Sequence, residues 1–167
     1  HQRRPGGQSQ FLAGAFVVDE QGAKTQDRVF VIQLWREYKN DAGEFGSEFG
    51  TINGKSWPYT ERFGFPLGQS VQWRVINASA ALHPMHLHGA YYRIDAAGNW
   101  RAAERFAPDK RQMVVTRNMH PGETMDIHWK PDRPGNWLFH CHIIAHMMPD
   151  ASLSAVQKLP MQHHGSF

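Results

Sequence analysis

The stretch SVQWRVI, residues 70–76, sets Val71, Trp73 and Val75 at alternate positions with Gln72 and Arg74 between them. A period of two residues is that of a strand with one face buried. The same reading extends outward along the chain. Gly14 to Val18 (GAFVV) and Arg28 to Trp35 (RVFVIQLW) are short apolar or alternating runs on either side of a polar turn. Further strands are expected at Gly50 to Asn53, Ala90 to Asp95, Gln112 to Thr116, Thr124 to Trp129, Asn136 to His140 and Leu153 to Gln157. Turn signals sit between them. His120-Pro-Gly-Glu123 and Arg133-Pro-Gly-Asn136 each stand immediately before a strand. Lys39 to Phe49, rich in glycine and acidic residues, reads as a linker. No segment keeps a 3.6-residue apolar period over three turns. Many short strands with turns between them make an all-β sandwich or barrel.

Composition bounds the rest. The chain has 167 residues, enough for one ordinary domain and a margin, and its 41% hydrophobic fraction can fill a core. Its formal charge of +3 comes from basic residues scattered along the chain, so there is no nucleic-acid footprint. The nearest approach to a patch, Arg101, Arg105, Lys110 and Arg111, reads as a solvated face. No run approaches eighteen apolar residues, so no membrane span is expected. One cysteine cannot build a disulfide framework within the chain. The eleven histidines and seven methionines are the unusual feature.

Six of those histidines and the cysteine fall in two short clusters. One is His83-Pro-Met-His86-Leu-His88, the other His140-Cys141-His142-Ile-Ile-Ala-His146. In extended chain, alternate residues point the same way. His86 and His88 therefore share a side, as do His140 and His142, while Cys141 faces away from its two neighbours. This predicts two metal sites back to back. One would be made of four imidazoles. The other would be a thiolate that takes His83 and His146, the trigonal donor set that suits copper in electron transfer. A structural zinc site, a surface His-x-His and a cysteine buried merely as a small apolar residue are the competing readings.

The stretches at residues 51–57 (TINGKSW), 73–79 (WRVINAS), 83–89 (HPMHLHG) and 135–143 (GNWLFHCHI) resemble the C-terminal cupredoxin domain of multicopper oxidases, the laccase-like family. The resemblance covers residues 50 to 146. It implies a cupredoxin-like Greek-key β-sandwich and copper as cofactor. It makes His83, Cys141 and His146 ligands of a type 1 copper and His86 a type 2 ligand. His88, His140 and His142 become type 3 ligands, with His140, Cys141 and His142 as the electron route between the sites. The implied activity is one-electron oxidation of a small reducing substrate coupled to four-electron reduction of O2 to water.

The same resemblance makes this domain half of a larger site. Four further histidines, as two His-x-His pairs, are expected from a second cupredoxin domain. That domain would lie in another part of the protein or in a neighbouring subunit, for instance of a trimer. Activity is expected only in that assembly. Residues 1–40 read as trailing strands of the preceding domain plus a linker, 41–160 as the copper domain and 161–167 as a tail. His1 is a candidate for the last histidine of the second pair. The family's axial type 1 position falls on Ala151, which cannot ligate, so Met147, Met148 or Leu153 approaches the metal or the site has no axial ligand. A secreted or periplasmic location goes with the family. Two other functions compete: a one-copper electron carrier, and a Cu(I)-handling protein using Met113, Met119, Met125, Met147, Met148 and Met161.

Overall fold

The computed structural model describes residues 13–19, 21–22, 27–38 and 44–147. The expected strand at Leu153 to Gln157, and His1, Met148, Ala151 and Met161, lie outside the described residues. The regular secondary structure of the described chain is nearly all strand, arranged as two sheets in a cupredoxin-like sandwich. The large sheet has the order β2(Phe45–Ile52), β1(Arg28–Tyr38), β3(Val71–Asn77), β9(Glu123–Trp129), β5(Tyr92–Asn99) and β6(Ala103–Arg105), with β7(Gln112–Val114) also pairing β5. The small sheet has the order β10(Phe139–Cys141), β4(His83–Leu87) and β8(Thr116–Met119). From β3 to β5, and again from β8 to β10, successive strands alternate between the sheets. Connections that cross between sheets are the Greek-key manner of closing a sandwich.

The alternation read at residues 70–76 is seen directly, for Val71, Trp73, Val75 and Asn77 are buried and the residues between them are not. Trp73 is the hub of the core. Its ring lies 5.0 Å from Phe30, 5.0 Å from Trp129 and 5.2 Å from Phe139. Phe139 belongs to the small sheet, so this aromatic cluster spans the two layers. Tyr92, fully buried on β5, also crosses the sandwich: its hydroxyl donates to the Met85 carbonyl at 2.9 Å.

Three expectations need correction. Arg28 to Trp35 is not a trailing strand of a preceding unit. It forms β1 inside the large sheet, parallel to β3 from Arg28↔Trp73 to Ile32↔Asn77. Within the supposed linker, Phe45 to Phe49 is strand, because pairing to β1 overrides the poor intrinsic preference of a glycine-rich run. Phe49 stacks on Trp35 at 6.0 Å. Gly14 to Val18 forms no strand, and Phe16 is 92% exposed. A strand needs a neighbour for its backbone groups, and none of the described residues supplies one there. No described helix is long and apolar enough to cross a membrane.

Candidate metal centre

Strand β4 lies between β8 and β10, with His86 opposite His140, Met85 opposite Cys141 and Leu87 opposite Phe139. Along β4, His83, Met85 and Leu87 are buried toward the core while Pro84 and His86 are not. The three-residue step from His83 to His86 therefore changes face. On the neighbouring strand Cys141 is buried, while His140 is half-buried and His142 exposed. Backbone bonds from His88 N–H to Leu138 O and from His142 N–H to Pro84 O, each 2.8 Å, extend this pairing beyond the strand ends.

The structure gathers His83, Cys141 and His146 on the inner side, with one ligand atom of each within 4.8 Å of the others. Cys141 Sγ lies 3.6 Å from His146 Nδ1 and accepts the Ile143 N–H at 3.4 Å. Burial, assisted by the proximity of His146, lowers the His83 pKa to about 4, so this ring is neutral and able to ligate near pH 7. Burial pushes the Cys141 thiol upward, so a bound cation must favour its thiolate form. His83 Nδ1 is buried with no hydrogen-bond partner. A buried, unpartnered ring nitrogen beside a thiol and a second imidazole fits a metal ion, and thiolate with imidazoles fits copper.

His146 reaches this place through a feature absent from the sequence reading. A single helical turn, Ile144–Met147, follows β10 and packs on β2. Gly50 makes room for it, since a Cβ there would meet the His146 carbonyl oxygen at 2.5 Å. On the same strand, Glu48 Oε1 stands 3.7 Å from His146 Nε2.

The outer set gathers the other four histidines. His86, His140 and His142 bring ligand atoms within 4.8 Å of one another, and His88 Nε2 lies 2.9 Å from His140 Nε2. His86 Nδ1 bonds Thr116 Oγ1 at 2.8 Å and His140 Nδ1 bonds the Cys141 carbonyl at 2.9 Å, leaving Nε2 of each to face the cluster. Burial and the crowding of the imidazoles lower the pKa of both rings, which favours the neutral, ligating form. Beside them His86, His88, Tyr91, Val115, Asp132 and Arg133 line an open cavity of about 350 Å³. His88 and His142 are exposed, so the set stands at the surface.

The structure thus brings the seven candidates together in two sets on opposite faces of one strand pair. The two-residue period bears on His86, His88, His140, Cys141 and His142, and His83 and His146 join the inner set as the remaining histidines of the two clusters. The supporting residues were not legible. Glu48, Gly50 and Thr116 carry no metal-ligand spacing, and only their contacts with His146 and His86 reveal them.

A cupredoxin-like sandwich bearing a His₂Cys set and an imidazole cluster defines a class of copper protein. The multicopper oxidase family model matches residues 26–159, and the chain belongs to that family. It is 35% identical over 99 residues to the iron transport multicopper oxidase fetC of Epichloe festucae, a match covering 54% of this chain and 16% of that protein. It is 36% identical over 73 residues to Laccase-5 of Trametes villosa, covering 44% of this chain and 14% of that one. A crystal structure of a blue copper oxidase from Nitrosomonas europaea superposes with a TM-score of 0.60 and 28% identity, over 73% of this chain and 38% of the other. The chain therefore spans only a small part of the length of the curated relatives it matches.

Proposed function

We propose that this chain is the C-terminal copper domain of a laccase-like multicopper oxidase. Assembled with a second cupredoxin domain, it would couple one-electron oxidation of a small reducing substrate to reduction of O2 to water. The observation that supports this best is the pair of donor sets on opposite faces of β4 and β10, joined by the tripeptide His140-Cys141-His142. A lone electron carrier has use for the inner set only.

In this reading His83, Cys141 and His146 hold a type 1 copper, His86 holds a type 2 copper, and His88, His140 and His142 hold the type 3 pair. Bound copper supplies the one-electron redox chemistry and the site of O2 reduction. The chain's own residues do the remaining work. Met85, Leu87 and Met119, all at 1% exposure, keep water from the core beneath the inner set. Thr116 and the Cys141 carbonyl orient His86 and His140.

In this reading the domain that carries both sets includes β1 from Arg28 and the copper-binding segment. Four imidazoles at a surface are half of a trinuclear site, and two His-x-His pairs on a facing domain or subunit complete it. A trimer is one such arrangement. A secreted or periplasmic location accompanies this function. The relatives are named both as laccases and as iron transport oxidases, which supports testing an organic donor and iron as the reductant.

The test is copper counting by native mass spectrometry with O2 uptake on the purified material, using a phenol and Fe(II) as donors. An assembly with about four coppers per active unit that consumes O2 supports the proposal. A monomer with one copper that reduces O2 to water overturns it.

A further inference from the structure

The buried residues Asn77 and Ser79 are fully hydrogen-bonded beside His83, whose Nδ1 is buried without a partner. Asn77 is entirely buried. Its Nδ2 donates to two carbonyls, Ala81 O at 2.8 Å and Met119 O at 2.9 Å. Turning the amide over would set its oxygen against both, so Oδ1 must face Ser79. There it accepts the Ser79 N–H at 3.0 Å and lies 2.8 Å from Ser79 Oγ. Ser79 Oγ in turn lies 2.8 Å from His83 Nε2 and accepts the Ala81 N–H at 3.1 Å.

A hydroxyl has one hydrogen and two lone pairs. If Ser79 donates to Asn77, its two lone pairs take the Ala81 N–H and the His83 Nε2–H, and every group is matched. If Ser79 donates instead to His83, that ring must carry its hydrogen on Nδ1, which is buried and has no acceptor in reach. Asn77 Oδ1 would also lose its hydroxyl donor. Donation by Ser79 to the Ala81 carbonyl, 3.3 Å away, gives the same ring tautomer as the first arrangement, so hydrogen on Nε2 is the consistent state. It leaves a bare lone pair on Nδ1, on the side of Cys141 and His146.

We propose that Asn77 and Ser79 are positioning residues that fix the tautomer of His83. They run a directional chain from the carbonyls of Ala81 and Met119 through Asn77 and Ser79 to Nε2–H, so that Nδ1 is committed to the metal before any metal arrives. This rests on the type 1 assignment above and extends it beyond the ligands themselves. A hydrogen-bond acceptor on the far nitrogen orients a ligating imidazole and raises its basicity, and losing such a partner commonly weakens metal binding 10- to 100-fold. A more basic imidazole stabilises the oxidised, more highly charged copper, so removing the acceptor raises the reduction potential.

Two measurements test the inference. In the full chain before copper loading, two-bond 1H–15N NMR correlations read the His83 tautomer directly. Hydrogen on Nε2 is expected, and hydrogen on Nδ1 overturns the proposal. No variant has to fold for this result. In the copper-loaded protein, Ser79→Ala should weaken copper retention at the thiolate site about 10-fold or more against a competing chelator and raise its potential. Ser79→Thr, which keeps a hydroxyl, should restore both. Affinity and potential unchanged in Ser79→Ala overturn the proposal, because a purely structural serine would lower only the melting temperature. Failure of the type 1 assignment is separately visible, as a wild-type protein with no thiolate-to-copper absorption.

Discussion

His86 and His140 are direct partners across the β4–β10 ladder, and the pair one step along, Met85 and Cys141, points to the opposite face. A strand pair with residues of both sets on each strand binds the two sites mechanically. A shift of β10 by one residue would exchange its faces, turning Cys141 outward and the histidines into the core. The core contacts of Met85, Leu87 and Phe139 therefore hold the register of both metal sets at once.

The first prediction separates the two sets. Cys141→Ser should abolish the intense thiolate-to-copper band and leave His86, His88, His140 and His142 able to bind metal. Absorption spectroscopy with copper counting checks this. Survival of the band in the variant would show that another donor makes it.

Gly50 gives a second prediction. Its absent Cβ is the space occupied by the His146 backbone. Gly50→Ala should push the Ile144–Met147 turn outward, cost roughly 1–3 kcal/mol of stability by overpacking, and weaken binding at the thiolate site. His140 also touches this turn, through Met147 Sδ at 2.6 Å from its Nδ1, whereas His86 is held by Thr116, so the outer set should lose less metal than the thiolate site. Thermal melting and copper retention by the thiolate band read both effects.

How far these sites could be read from the chain follows the physics of each signal. The opposite facing of Cys141 and its neighbours needed only the two-residue strand period, and Cys141 is buried while His140 and His142 are not. Strand β2 was hidden because its pairing to β1, and not the preference of a glycine-rich, acidic run, makes it a strand. The turn at Ile144–Met147 was hidden because four residues are too few to show a helical period. It is that turn which brings His146, five positions on from Cys141, back beside the thiol. Asp95 shows a third kind of illegibility. It lies at a β-bulge between Ile94 and Ala96, a charged residue in an apolar-looking strand, and two of its partners, Arg111 and His128, come from elsewhere in the fold.

Gly89 supports a third prediction at the outer set. It has φ of +74° and directly follows His88, and a Cβ there would lie 2.2 Å from the Trp137 ring. Gly89→Ala meets both a strained backbone and a blocked space. It should cost at least 1–3 kcal/mol and displace His88 from His140. Copper content of the outer set should fall while the thiolate band persists. Equal loss of both signals would place the damage in the fold as a whole.

The last prediction concerns acid stability and lies away from the metal. Asp95 is 3% exposed, accepts from Arg93 Nε at 2.6 Å and from Arg93 Nη2 at 3.0 Å, and bonds His128 Nδ1. Arg111 Nε stands 3.5 Å away, and Asp126 adds a charge of like sign. Burial alone would raise the Asp95 pKa, but the hydrogen bonds from Arg93 and His128 and their charges outweigh it, and the net shift is downward. A carboxylate whose folded pKa lies below its unfolded value, about 4, stabilises the fold fully above that unfolded value. The contribution is lost as pH falls through the folded pKa. Asp95→Asn removes the charge but keeps the shape, leaving Arg93 and His128 facing a neutral amide. It should destabilise the protein by roughly 1–3 kcal/mol at pH 7. The penalty should shrink as pH drops below about 4, where the carboxyl of the unfolded wild-type chain begins to take up its proton, the folded one following at lower pH. Denaturant melts of both proteins at pH 7, 5 and 3 measure this, and a difference that stays constant over that range contradicts the assignment.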